Sequence, residues 1–262
     1  MTSEISMESL ATQIPSLVMA SAKPIESLTN HILDTKITRK NWKKEEFLPE
    51  NLVRDLTQEP IVKAALEAAK IAPEEVVKEL VDFVCGKDFE RSGRRLFLIL
   101  VMMSEDKEQL SLLKRLKDCG VDDSALPIGF YSEDPFKGQG FSLEDPRGGK
   151  PGPEPKRFPV FAEMTRSNRT LFNSEQWRFL APVFSPDHFR FRFNKDRRLP
   201  YLKVSLEPVS NGYFGEVWQA EVLAAHAPES LRVSTFLSLN LIKCRHCERQ
   251  KSDWGGMLGS WQ

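Results

Sequence analysis

The sequence predicts an α+β protein, an N-terminal all-helical domain followed by a partial antiparallel β-sheet, and three observations carry that expectation. Apolar residues recur at helical spacing between positions 48 and 119. Pro and Gly then return every few residues from 131 to 159. Beyond that, apolar and polar residues alternate in HFRFRF, YLKVSLEPV, GEVWQAEVLA and VSTFLSLNLIK. A period near 3.6 marks a helix with one buried face, and a period of two marks a half-buried strand.

The bulk numbers fit that division. A chain of 262 residues has room for two modest domains with real cores. With 40% hydrophobic and 28% charged residues it is too apolar to be disordered throughout. Lys plus Arg and Asp plus Glu both total 37, so no global charge draws the protein toward nucleic acid or a membrane. Cys85, Cys119, Cys244 and Cys247 are too few and too unevenly spaced for a disulfide framework, which suits a reducing compartment. Glu4 and Glu8 occupy the place where a secretory signal would be basic, and no Lys or Arg precedes Lys23. The longest apolar run, 96–103, falls far short of the ~20 residues a spanning helix needs. The expectation is an intracellular protein, cytoplasmic or nuclear, with no membrane partner.

Residues 1–44 are rich in Ser and Thr, without a sustained period, and read as a disordered arm. A helical domain is expected over 45–130. Leu52, Leu56, Ile61, Val62, Ala65, Leu66 and Ala69 keep helical spacing with a break at Pro60, which predicts two short helices. Pro73, Glu74 and Glu75 start another, Pro with its preset φ and the acids at the positive end of the dipole, and Gly86 stops it. RRLFLILVMM is buried as either helix or strand, and its place between helices favours helix. Leu110, Leu113 and Leu116 line a last helix that ends at Gly120.

Residues 131–160 read as a Pro/Gly-rich linker with almost nothing apolar to bury. Its GGKP is not a phosphate loop, because Pro151 follows the lysine where Ser or Thr is needed and Glu144 stands where the first glycine belongs. Strands are expected over 161–245. Phe189, Phe191 and Phe193 oppose His188, Arg190 and Arg192, and Leu202, Val204 and Leu206 oppose Lys203, Ser205 and Glu207. After the glycine loop, Trp218, Ala220, Val222 and Ala224 face away from Val217 and Gln219, and Leu237, Leu239 and Leu241 alternate with Ser238 and Asn240. The basic stretch HFRFRFNKDRR is then an amphipathic strand with Phe inward and Arg outward. It carries no RNA-recognition motif, and no nucleic-acid partner is expected.

The loop SNGYFGEV admits two readings. Gly212 and Gly215 can simply permit a tight hairpin, or their unshielded amides can approach phosphate oxygens. SNGYFGEVWQA followed by NLIK resembles the start of a eukaryotic protein kinase domain, with its glycine-rich loop and lysine-bearing strand. The lead-in EQWRFLAPVFSPDHFRFRFNKDRRLPYLKV is similar to that of a group of kinase-like proteins from filamentous fungi, as are FLPENLVRDL and LFLILVMM in the helical region. The resemblance covers positions 48 to about 226 and implies a Ser/Thr-type, ATP-binding protein kinase-like protein, with the sheet as a partial kinase N-lobe over 161–245. It makes Ser210, Gly212, Phe214 and Gly215 the loop over the phosphates, Val217 the cover of the adenine, and Lys243 the holder of the α and β phosphates. ATP with Mg is the cofactor it implies.

The chain departs from that pattern in several places. Ser210 replaces the first glycine, and Leu241 stands where the family favours a small alanine against the adenine. Phosphotransfer also needs a helix-borne glutamate, a catalytic-loop aspartate and a metal-binding aspartate. Glu248 is too near Lys243, Asp253-Trp254-Gly255 arrives before any catalytic loop, and no His-Arg-Asp occurs. The expectation is a truncated kinase-like form without phosphotransfer activity, ending in an irregular tail over 246–262. The lone Cys244-x-x-Cys247 in CRHCERQ has no second pair to complete a zinc site. The alternative is a non-catalytic interaction module, in which the helical domain binds a protein partner and the kinase lobe is vestigial.

Overall fold

The computed structural model describes residues 18, 21–34, 37–88, 91–103, 107–132, 137–143, 156–184, 193–211, 215–227, 236–244 and 258–260. The protein is α+β, with helices and antiparallel sheets in two compact units. One comprises Met1–Ile37 and Asn51–Phe179, the other Thr38–Glu50 and Leu180–Gln262. The boundaries expected at 45 and 161 fall inside these units, because the pairings that define them join residues far apart in sequence.

In the first unit the stretch expected as a disordered arm carries a helix, α1 (Pro24–Leu33), which buries Ile25, Leu28 and Ile32 on one face. Helices α2 (Glu50–Asp55) and α3 (Glu59–Ala68) follow, Pro60 sitting in the first turn of α3 where no amide donor is needed. Helix α4 (Glu74–Val84) buries Val77, Leu80, Val81 and Val84, and its first turn carries Glu74 and Glu75. RRLFLILVMM forms helix α5 (Arg94–Met102), in which every residue from 96 to 101 is buried, as a helix apolar on all sides must be. Helix α6 (Leu112–Asp118) buries Leu112, Leu113 and Leu116, and Gly120 follows it at φ +66°, the left-handed conformation that stops a helix.

Two polar side chains serve the ends of these helices. Gly93 precedes α5 without a capping side chain, and the cap comes from Asp123 instead. The Arg95 amide donates to Asp123 Oδ2 at 2.9 Å and the Leu96 amide to Oδ1 at 3.1 Å, while the Asp123 amide donates to the Ser92 carbonyl. Burial pushes this carboxyl up to about 7, against the pull of the Arg95 guanidinium and the two amides. Arg94 donates to the Thr57 carbonyl at 3.0 Å, to Thr57 Oγ1 at 2.8 Å and to the Cys85 carbonyl at 3.0 Å, which satisfies acceptors just beyond the C-terminal ends of α2 and α4.

Part of the expected linker is a sheet. Strands β3 (Ile128–Phe130), β4 (Gly140–Ser142) and β5 (Arg157–Phe158) pair antiparallel in that order. A Cβ on Gly140 would lie 2.5 Å from the ring of Phe161, so this glycine leaves room for an aromatic side chain and is not a mark of flexibility. Phe161 packs on Phe172 with ring centroids 5.2 Å apart and on Phe130 at 5.5 Å. Gln176 brackets Ile128, accepting its amide at 2.7 Å and donating to its carbonyl at 2.9 Å. Helix α7 (Arg166–Glu175), capped by Thr165, completes the unit.

The second unit contains two sheets. Strands β1 (Arg39–Lys40) and β2 (Glu46–Phe47) form a hairpin whose turn is made by Asn41 Oδ1, which accepts the amides of Lys43 and Glu45, with Lys44 at φ 65°. The larger sheet runs β10–β9–β8–β6, where β6 is Tyr201–Val204, β8 Gly215–Leu223, β9 Phe236–Cys244 and β10 Leu258–Ser260. Strand β7 (Ser210–Asn211) also pairs with β8. Ala220 and Val222, on the face expected to be apolar, are buried against Phe184, Leu199 and Tyr201, with Trp42, Phe193 and Trp218 half-buried around them. Of the alternating run 188–193, only Phe193 lies within the described residues.

Candidate functional site

The loop anticipated from the sequence connects β7 to β8. The Val209 amide donates to the Val217 carbonyl at 2.8 Å, and Ser210 and Asn211 pair with Val217 and Glu216. Gly212 and Phe214 lie outside the described residues. Gly215 opens β8 and pairs with Cys244 on β9, after which Glu216 pairs with Lys243, Val217 with Ile242 and Trp218 with Leu241. Adjacent strands lie about 4.8 Å apart, so Ser210, Gly215, Val217 and Lys243 meet at one end of a three-strand ladder.

The register separates two of these positions. In an antiparallel ladder, opposite residues share a face and successive residues alternate. Position 243 therefore goes with 216, 218 and 241, whereas position 217 goes with 242. Lys243 stands one step along β9 from Cys244, the partner of Gly215. Val217 and Leu241, the positions that the resemblance sets against the adenine, fall on opposite faces. Glu216, opposite Lys243, was not anticipated from the sequence, because pairing across residues 224–235 cannot be read from local pattern.

The sheet behind the loop is stiffened by aromatic rings. Phe184 stacks on Tyr201 at 5.9 Å with planes 7° apart, Trp42 packs on the same Tyr201 at 5.5 Å, and Phe193 meets Phe184 edge-on at 6.2 Å. Burial pushes the Tyr201 hydroxyl well above the usual phenol range. The Trp42 amide donates to the Tyr201 carbonyl at 2.8 Å, which ties the Thr38–Glu50 hairpin to β6. Sequence reasoning missed this hairpin. The one local signal was Asn41, a turn former between two short apolar and charged runs.

Among the described residues, no group of three or more His, Cys, Asp or Glu is placed to hold a metal ion, and no helix is long and apolar enough to cross a membrane. Cys244 ends β9, and Cys247 lies outside the described residues. No family model matches the chain, and no curated protein or solved structure matches it.

Proposed function

We propose that Thr38–Glu50 and Leu180–Gln262 form a Ser/Thr-type protein kinase-like N-lobe that binds ATP mainly through its phosphates. What supports this reading is the ladder register, in which Lys243 lies beside the partner of Gly215 on the strand next to the glycine hairpin. Amides of the 212–215 turn would donate to phosphate oxygens, and the Lys243 ammonium would neutralise the charge between two phosphoryl groups. In kinases magnesium supplies further charge neutralisation on the same phosphates. The residues fit the phosphate half of the ligand better than the base half, because positions 217 and 241 do not share a face. Weak affinity with little discrimination between purine bases follows. No phosphotransfer is proposed for these residues.

The alternative, a non-catalytic interaction module with a vestigial lobe and a protein partner for the helical unit, is favoured by that same mismatch of 217 and 241. Thermal unfolding with and without Mg-ATP separates the two readings. Ligand at about a hundred times its dissociation constant adds about 2.7 kcal/mol to stability. The first reading expects a dose-dependent rise in Tm that Lys243→Met removes. A folded protein whose Tm does not move in millimolar Mg-ATP would establish the second.

A further inference from the structure

His226 is fully buried in the short turn Ala224–His226 after β8, and both of its ring nitrogens are committed to backbone groups. The Glu50 amide lies 3.2 Å from Nε2, and an amide can only donate, so Nε2 is an acceptor. The Pro182 carbonyl lies 3.0 Å from Nδ1, and a carbonyl can only accept, so Nδ1 carries the proton. The imidazole is therefore neutral, with one tautomer fixed by geometry. Around it the Phe184 amide donates to the His226 carbonyl at 2.9 Å, and the Phe47 ring meets the imidazole edge-on at 5.6 Å. A single side chain thus ties together the hairpin, the 180–184 segment and the end of β8.

We propose that His226 is a pH-sensitive latch that fastens the Thr38–Glu50 hairpin to the sheet while neutral and releases it on protonation. A second proton on Nε2 turns the acceptor into a donor facing the Glu50 N–H, and neither group can then satisfy the other. The hairpin side carries Glu45, Glu46 and Glu50, with Asn41 Nδ2 donating to the Glu45 carboxylate, Lys40 3.6 Å from the Glu46 carboxylate and Arg198 donating to the Glu46 carbonyl. On β8, Glu221 is held by Lys203 at 3.2 Å, and residues 180–184 and 224–227 carry no acid, Lys or Arg. Ties of the hairpin that do not pass through His226 include the Trp42–Tyr201 bond, the Arg198–Glu46 bond and ring packing.

The test is NMR on the full chain, lowering the pH from about 7.5 to about 5.5 across the ordinary imidazole range. The expected result at the upper pH is a neutral His226 ring protonated on Nδ1. On acidification, amides 41–50 should lose their dispersed shifts with the same midpoint as the His226 ring, while amides of α5 stay in place. Three results overturn the latch: a ring that titrates while amides 41–50 hold still, a ring that stays neutral to the lower pH, or an Nε2-protonated tautomer at neutral pH. His226→Asn, which keeps a donor near Nδ1 and lacks Nε2, should show the released hairpin shifts at both pH values. Should that variant not fold, the wild-type titration decides alone.

Discussion

The carboxyl of Asp123 makes the helical unit less stable as the pH rises from 5 toward 8. Burial holds this carboxyl at about 7 in the folded protein, against an ordinary value of 3.8. Between those values the folded state keeps a proton that the unfolded state has already lost, so stability is highest below the unfolded pKa and falls as the pH climbs. At about 1.36 kcal/mol per pH unit, and allowing for half-titration at pH 7, the loss between pH 5 and pH 7 is about 2 kcal/mol. For a unit of this size that corresponds to a fall in Tm of about 4–8 °C. The assay is thermal unfolding by far-ultraviolet circular dichroism at fixed ionic strength, for the wild type and Asp123→Asn. The variant keeps one acceptor for the Arg95 and Leu96 amides, so it should be destabilised at pH 5 by about 1–3 kcal/mol for the amide left without a partner. It should then lose little more on going to pH 7. A variant as pH-dependent as the wild type would show that the slope belongs to other groups and refute the reasoning.

Three further substitutions probe the packing and the site. Gly93→Ala would set a Cβ 2.3 Å from a ring carbon of Phe83, and urea unfolding should register a loss of about 1–3 kcal/mol from forced repacking. Arg94→Met strips the Thr57 and Cys85 carbonyls of their shared donor and should cost about 2–4 kcal/mol in the same assay, with no change in pH dependence between 5 and 8. Glu216→Gln removes the carboxylate opposite Lys243, a cross-strand pair worth about 0.2–1 kcal/mol, so Mg-ATP titrated by calorimetry should bind up to about fivefold more tightly. Weaker binding would mean that Glu216 does not compete with phosphate for the lysine.

Elements whose stability is local were legible in the sequence. Helix α5 reads as a buried helix because its length and neighbours leave few alternatives, and β8 announces its buried face through Ala220 and Val222. What escaped depends on distant partners. Strands β4 and β5 lie in a stretch whose glycines looked like linker, yet Gly140 is small because Phe161 occupies the adjacent space. The Asp123 cap closes a helix that begins 29 residues earlier, and no local motif reports a cap from downstream. At the candidate site, the loop and lysine were visible as letters. The opposite faces of 217 and 241 follow from the β8–β9 register, which long-range pairing decides.

The split origin of the second unit has a consequence during synthesis. Thr38–Glu50 leaves the ribosome long before Tyr201, the residue whose carbonyl its Trp42 amide needs. At roughly 5–20 residues per second, the roughly 150 intervening residues take on the order of 8–30 s. Throughout that interval Trp42, Phe47 and Leu48 have no sheet to cover them. The nascent chain thus presents an adhesive apolar segment that either chaperones shield or the emerging helices hold in passing, and ribosome-bound chains halted before residue 201 should bind hydrophobic dye at that segment.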